Sequence, residues 1–190
     1  MVIEKGINRA LESVCKKREF KGDIDSKQAS KSCVFISHKS SDEKAAKAVA
    51  EYLMLNNIDI YLDKKDEGLQ KKIQEVDTEG IVASIDEALK YCTHILVLVS
   101  DETKKSWWVP YEIGYSKKGE KKIASALLKS NNEDFPDYLK IERIIKNYCD
   151  FKNYVAEVQR SKYGALFNKK ESKLVEPIKL KEYIRSEDNE

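Results

Sequence analysis

Five consecutive apolar residues, Ile95-Leu96-Val97-Leu98-Val99, form the most apolar run of the chain, and they constrain its architecture more than any other stretch. A run without a polar face must be covered on both sides, which is the situation of a central strand in a parallel sheet. The flanks agree with this. Ile81, Ile85, Ala88, Leu89 and Cys92 recur at helical spacing ahead of the run, and Ser100 and Asp101 close it. A further helix is expected over Trp108 to Glu112, with Pro110 in its first turn, where a missing amide N–H costs little.

The same alternation repeats along the chain. Cys33-Val34-Phe35-Ile36 is a second short apolar run, followed by the polar turn Ser37-His38-Lys39-Ser40-Ser41-Asp42 and a helix marked by Ala45, Val49 and Leu53. Ser40 and Glu43 have capping-box spacing, which predicts the helix start. Strand, turn and helix N-terminus in this order make an anion-receptive corner, although no glycine-rich phosphate fingerprint is present. Ile58, Ile60 and Leu62 alternate with Asp59 and Tyr61, the pattern of an edge strand with one solvated face. A charge-dense loop, Lys64 to Glu79, leaves that strand. Ile123 to Leu128 predicts a fourth strand, Ile144 to Phe151 contains a short fifth, and Tyr154, Val155 and Val158 predict a closing helix. Repeated strand–helix alternation implies a doubly wound α/β sheet. Residues 1–30 read as an amphipathic helical appendage and linker, 31–165 as the domain, and 166–190 as a polar C-terminal tail.

Charge and composition remove several function classes. The 35 basic and 33 acidic residues of the 190-residue chain leave a net charge of +2, which offers no broad electrostatic reason to bind nucleic acid. Four widely spaced cysteines and two histidines predict no metal site and reduced thiols, hence a cytoplasmic protein. No apolar stretch has the length of a membrane span. Neither histidine has the partners of a serine or cysteine triad.

Both tryptophans lie in Ser106-Trp107-Trp108-Val109-Pro110-Tyr111-Glu112, and Glu112 follows Trp108 by four residues. That spacing puts the two side chains on one helical face. An aromatic surface beside a fixed carboxylate suits a sugar or a nucleotide; a tryptophan pair anchoring a helix, with Trp107 packed at its start, is the plainer reading of the same residues.

Taken in order, these landmarks resemble a TIR domain of the compact bacterial kind over roughly residues 31–165. Val34-Phe35-Ile36-Ser37-His38 resembles the first-strand motif, Ile60-Tyr61-Leu62-Asp63 the second strand leading to the BB loop, and Ile95 to Ser100 the third strand. Trp108-x-x-x-Glu112 resembles the helix motif that carries the catalytic glutamate of NAD-cleaving TIR enzymes. The resemblance implies a flavodoxin-like fold, a five-stranded parallel sheet of order 2-1-3-4-5 with helices on both faces. It implies Glu112 as the catalytic residue, and Trp108, Ser37, His38 and Lys39 as substrate contacts. Asp63 and Lys65 match the start of the BB loop, and Ser84 is a further candidate for the pocket lining. His38 stands where stacking, hydrogen bonding and loop packing are all open.

Two functions follow from the resemblance. One is an enzyme that takes NAD as its substrate, needs no cofactor, and makes linear, cyclic or conjugated ADP-ribose. Stand-alone proteins of this shape resemble the NAD-processing TIR enzymes of Thoeris-type antiphage defence, whose product is sensed by a separate effector protein. The other is a non-enzymatic adaptor that self-associates through the BB loop. A nucleoside deoxyribosyltransferase-like enzyme, with the glutamate as covalent nucleophile, is a third reading on the same kind of sheet.

Overall fold

A computed structural model describes residues 5–10, 32–62, 78–129, 135–160 and 179–186. Strands β1 (Cys33–Ser37), β2 (Asp59–Tyr61), β3 (His94–Val99), β4 (Lys122–Leu127) and β5 (Arg143–Ile145) form one sheet of order β2-β1-β3-β4-β5. Every pairing in it is parallel. The connections carry helices α1 (Glu43–Leu55), α2 (Thr78–Lys90), α3 (Trp108–Lys118) and α4 (Asp137–Lys140), and α5 (Tyr148–Arg160) follows the last strand.

All six residues of β3 are buried, as two-sided covering requires. Its Leu96 and Leu98 join Val34 and Ile36 of β1 against Val49 and Leu53 of α1 and Phe151 and Val155 of α5. On the opposite face, Ile95, Val97 and Val99 join Cys33 and Phe35 against Leu89 of α2 and Val109 and Ile113 of α3. The alternation of side chains along each strand thus sorts the core into two layers, one on either side of the sheet.

Three expectations are corrected. β2 ends the sheet, yet its polar face is not solvated: Asp59 is 1% exposed and accepts hydrogen bonds from Arg9 Nε at 3.1 Å and Nη2 at 2.9 Å. Part of the expected appendage lies along this edge. The Ile60 N–H donates to Ile7 O at 2.8 Å, and the Asn8 side-chain amide donates to Leu62 O and accepts from Leu62 N, so one side chain serves Leu62 as a neighbouring strand would. Gly6 lets the segment approach this closely, because a Cβ there would lie 2.0 Å from Ile58 O.

Secondly, the stretch expected as a polar tail returns to the core. Leu180 is fully buried and Ile184 is 1% exposed. Lys129 N–H donates to Tyr183 O, and Tyr148 N–H to Arg185 O, both at 2.9 Å. Thirdly, the capping box is not made. Ser40–Asp42 forms a 3-10 turn and α1 starts at Glu43, which makes Glu43 the first helical residue and leaves it to pair with Lys47.

Removing one member of a buried ion pair leaves the other charge uncompensated, so Arg9→Ala is expected to destabilise the fold by about 3 kcal/mol in urea unfolding. The double variant with Asp59→Asn should recover part of that loss.

His94 opens β3 at 3% exposure, with Nδ1 2.7 Å from Thr93 Oγ1. Burial, aided by the charge of Lys122, pushes its imidazole down to about 4 from 6.5. The unfolded chain therefore takes up a proton that the folded chain refuses. Stability contributed by neutral His94 is complete above pH 6.5 and declines as the pH falls to about 4, by about 3 kcal/mol in total. Unfolding free energies measured across this range should show that slope, and its absence in His94→Asn.

Candidate active site

The strand order reverses direction between β1 and β3, and in open parallel sheets the turns leaving such a pair diverge to leave a crevice at the carboxyl edge. Ser37 ends β1 at this edge, and Ser100 follows β3. A polar staple joins the two turns. Ser100 Oγ donates to Asp42 Oδ2 at 2.6 Å, Ser100 N–H donates to Thr103 Oγ1 at 2.8 Å, and Thr103 Oγ1 donates to Leu98 O at 3.0 Å. Ser100 and Thr103 are buried, so these bonds set the geometry of the turn rather than decorate its surface.

Helix α3 starts beyond this staple, with Pro110 in its first turn as expected. Its buried stripe is Val109, Glu112, Ile113 and Ser116, a helical repeat in which one acid replaces an apolar residue. Glu112 is 9% exposed, and its Oε2 accepts the Ser37 hydroxyl at 2.5 Å. A hydrogen bond to a carboxylate is short and strong, and it orients this one toward the end of β1. Trp108 stands one helical turn earlier and half-buried, edge-on to Tyr111 with ring centroids 6.3 Å apart. Tyr111 in turn donates to Asp86 Oδ1 of α2 at 2.6 Å, and that bond pushes its phenol up to about 12. The tyrosine ties α3 to α2, which fixes the helix that carries Glu112.

The residues expected at the site separate into four groups. Ser37, Glu112 and Trp108 are brought together by β1 and α3. His38 and Lys39 continue directly from Ser37, both half-buried, with His38 Nδ1 3.3 Å from Ile36 O. Ser84 is engaged within its own helix, donating to Gly80 O at 2.8 Å, and nothing links it to the carboxylate. Asp63 and Lys65, with the rest of the expected BB loop, lie outside the described residues.

Trp107 is corrected. It does not pack at the helix start but stands 91% exposed, because at about 100° per residue it falls on the side of α3 opposite the buried stripe. The staple residues Asp42, Ser100 and Thr103 and the Tyr111–Asp86 bond were not singled out from the sequence as parts of a site. The Ser-x-x-Thr spacing after β3 is the local signal for the first of them.

The topology and the placement of Glu112 define a flavodoxin-like α/β protein with a buried carboxylate at its topological switch point. A family model for the TIR domain matches residues 34–166, and the chain belongs to the TIR domain family. No curated protein matches the chain. Among the described residues no helix is long and apolar enough to cross a membrane.

The Ser37–Glu112 bond is expected to appear as coupling. Ser37→Ala should lower stability by about 1–2 kcal/mol, and a double-mutant cycle with Glu112→Gln should give a coupling energy of about 1 kcal/mol or more.

Proposed function

We propose that this TIR domain is an enzyme that cleaves the nicotinamide–ribose bond of NAD, releasing nicotinamide and an ADP-ribose product. The observation that carries the reading is the buried Glu112 carboxylate, oriented by Ser37 at 2.5 Å at the carboxyl edge of the sheet. In NAD the nicotinamide is already a pyridinium. Breaking the C–N bond sends its electron pair to the ring nitrogen, so the leaving group departs neutral without an acid. The difficulty is the positive charge that develops at the anomeric carbon. A carboxylate held beside that carbon stabilises the charge, more strongly in a water-poor site than in solution, and accepts hydrogen bonds from the ribose hydroxyls.

Trp108 would form an aromatic wall of the pocket, and the turn Ser37-His38-Lys39 would meet the phosphates or the ribose. Water capturing the carbon gives linear ADP-ribose and releases a proton; a nucleophile within the same molecule gives a cyclic product, and a second molecule a conjugated one. We take a cyclic or conjugated product as the reading for this chain, made as a diffusible signal in antiphage defence and sensed by a separate effector, after the Thoeris-type enzymes it resembles. Self-association through the BB loop, with Asp63 and Lys65 at its start, belongs to the same proposal.

One observation favours a second reading, an assembly module without turnover: the indole of Trp107 is presented almost whole to solvent, and exposed tryptophans are frequent anchors of protein interfaces.

Nicotinamide release from NAD by concentrated full-length protein separates the two. Glu112→Gln keeps the shape and removes the charge, and is expected to reduce release by about 10²–10³-fold. Ser37→Ala is expected to cost about tenfold by removing the hydrogen bond that aims the carboxylate at the end of β1. Mass analysis of the product then identifies the nucleophile. Equal release by wild type and Glu112→Gln would overturn the enzymatic role of the glutamate. No release by wild type, even with extract of phage-infected cells, combined with association lost in Trp107→Ala, would establish the assembly module.

A further inference from the structure

A cavity of about 370 Å³ opens at the amino ends of the strands, the edge of the sheet away from Glu112. His94 of β3, Lys122 and Ala124 of β4, Arg143 of β5 and Tyr154 of α5 line it. Register explains why they converge. His94 pairs with Lys122 and Ala124 with Arg143, and partners across a parallel ladder project to the same face, here the face covered by α5. Ala124 contributes a single methyl group at the centre of this floor, so the sheet recedes beneath the helix and leaves space.

The lining has the chemistry of a binding site. Tyr154 is 4% exposed, yet its hydroxyl has no hydrogen-bond partner among the described residues, a standing penalty that a ligand atom would remove. The other cations of the lining are engaged: Arg143 pairs with Glu157 and lies over the Tyr154 ring at 5.8 Å, and the Lys121 ammonium donates to Cys92 O at 2.6 Å. The acid Glu142 is held by Lys117 at 2.8 Å. Lys122 is exposed and in no ion pair among the described residues, close enough to His94 to oppose its protonation. Ile141 is 72% exposed and supplies an apolar wall.

One uncompensated cation, one unpartnered buried hydroxyl and an apolar wall around this volume fit one kind of ligand. We propose that the cavity binds a small organic anion, an apolar or aromatic body bearing one phosphate or carboxylate group. The charged group lies between Lys122 and the Tyr154 hydroxyl, and the body lies on Ala124 and Ile141. The volume is at the lower end for ligand pockets, so the ligand is no larger than a mononucleotide.

The test is an NMR titration of isotope-labelled full-length protein with phenyl phosphate and, separately, with benzoate. Saturable shifts centred on Ala124, Ile141 and Tyr154 are expected, and the tighter probe identifies the anion class. Tyr154→Phe removes only an unpartnered hydroxyl and keeps the fold; it is expected to weaken binding about fivefold, and Lys122→Gln about tenfold. Glu112→Gln leaves this binding unchanged. Absence of saturable shifts with both probes, or equal affinity in wild type, Tyr154→Phe and Lys122→Gln, overturns the proposal.

Discussion

Burial of β3 on both faces is the constraint from which the rest of the structure follows. A strand whose six residues are all removed from water needs a helical layer on each side of the sheet, and parallel neighbours need crossover connections to supply those layers. With right-handed crossovers, the helices that follow β1 and β3 leave toward opposite faces: α1 packs beneath Ile36 and Leu98, whereas α2 and α3 pack over Phe35 and Val97. The divergence of those two connections makes this the topological switch point of the sheet. Ser37 and Glu112 meet there because β1 ends with a side chain on the α3 side and α3 turns one acid of its buried stripe toward it.

Closing the β2 edge is a separate problem with a separate solution. An end strand offers unpaired N–H and C=O groups to any passing chain. Here residues 5–10 occupy them, and the means differ along the strand: a backbone bond at Ile60, a side-chain amide at Leu62 and a charged pair at Asp59. The strand is thereby held as far as its carboxyl end at Leu62. Segments remote in sequence support the opposite side of the sheet too, since Leu180 and Ile184 enter the layer formed by α1 and α5.

How much of this was legible depended on how many residues shared each signal. The strands β1 and β3 announce themselves through contiguous apolar runs and β4 through a largely apolar one interrupted by Ser125, and the sheet order followed from the family resemblance carried by four landmarks in register. Edge placement of β2 was readable from alternation, but the burial of Asp59 was not, because its partner Arg9 is fifty residues away and alternation alone cannot tell a solvated acid from a paired one. Leu180 and Ile184 are two apolar residues among charges, too few to outweigh their surroundings. Ser40 and Glu43 had the right spacing for a cap, but an intervening 3-10 turn displaced the helix start. At the site, Glu112 was legible because its spacing from Trp108 is local. Its bond to Ser37 joins elements 75 residues apart, and only the fold brings them together.

The sheet also keeps its two polar regions apart. Side chains alternate along a strand, and Ser37 projects with Phe35 and Val97 to the α3 face, whereas His94 and Lys122 project with Leu96 and Ala124 to the α5 face. The regions lie at opposite ends of the strands as well as on opposite faces. Along the strands the separation is short, since Ser37 pairs with Val97, three residues or roughly 10 Å from His94, so it is the sheet itself that stands between the two regions. Between them runs β3, buried along its whole length and close-packed on both faces. A ligand at the amino edge could influence the carboxylate only by biasing an element with two arrangements. The Ser37–Glu112 bond and the cavity beside Tyr154 thus lie on different faces of the sheet.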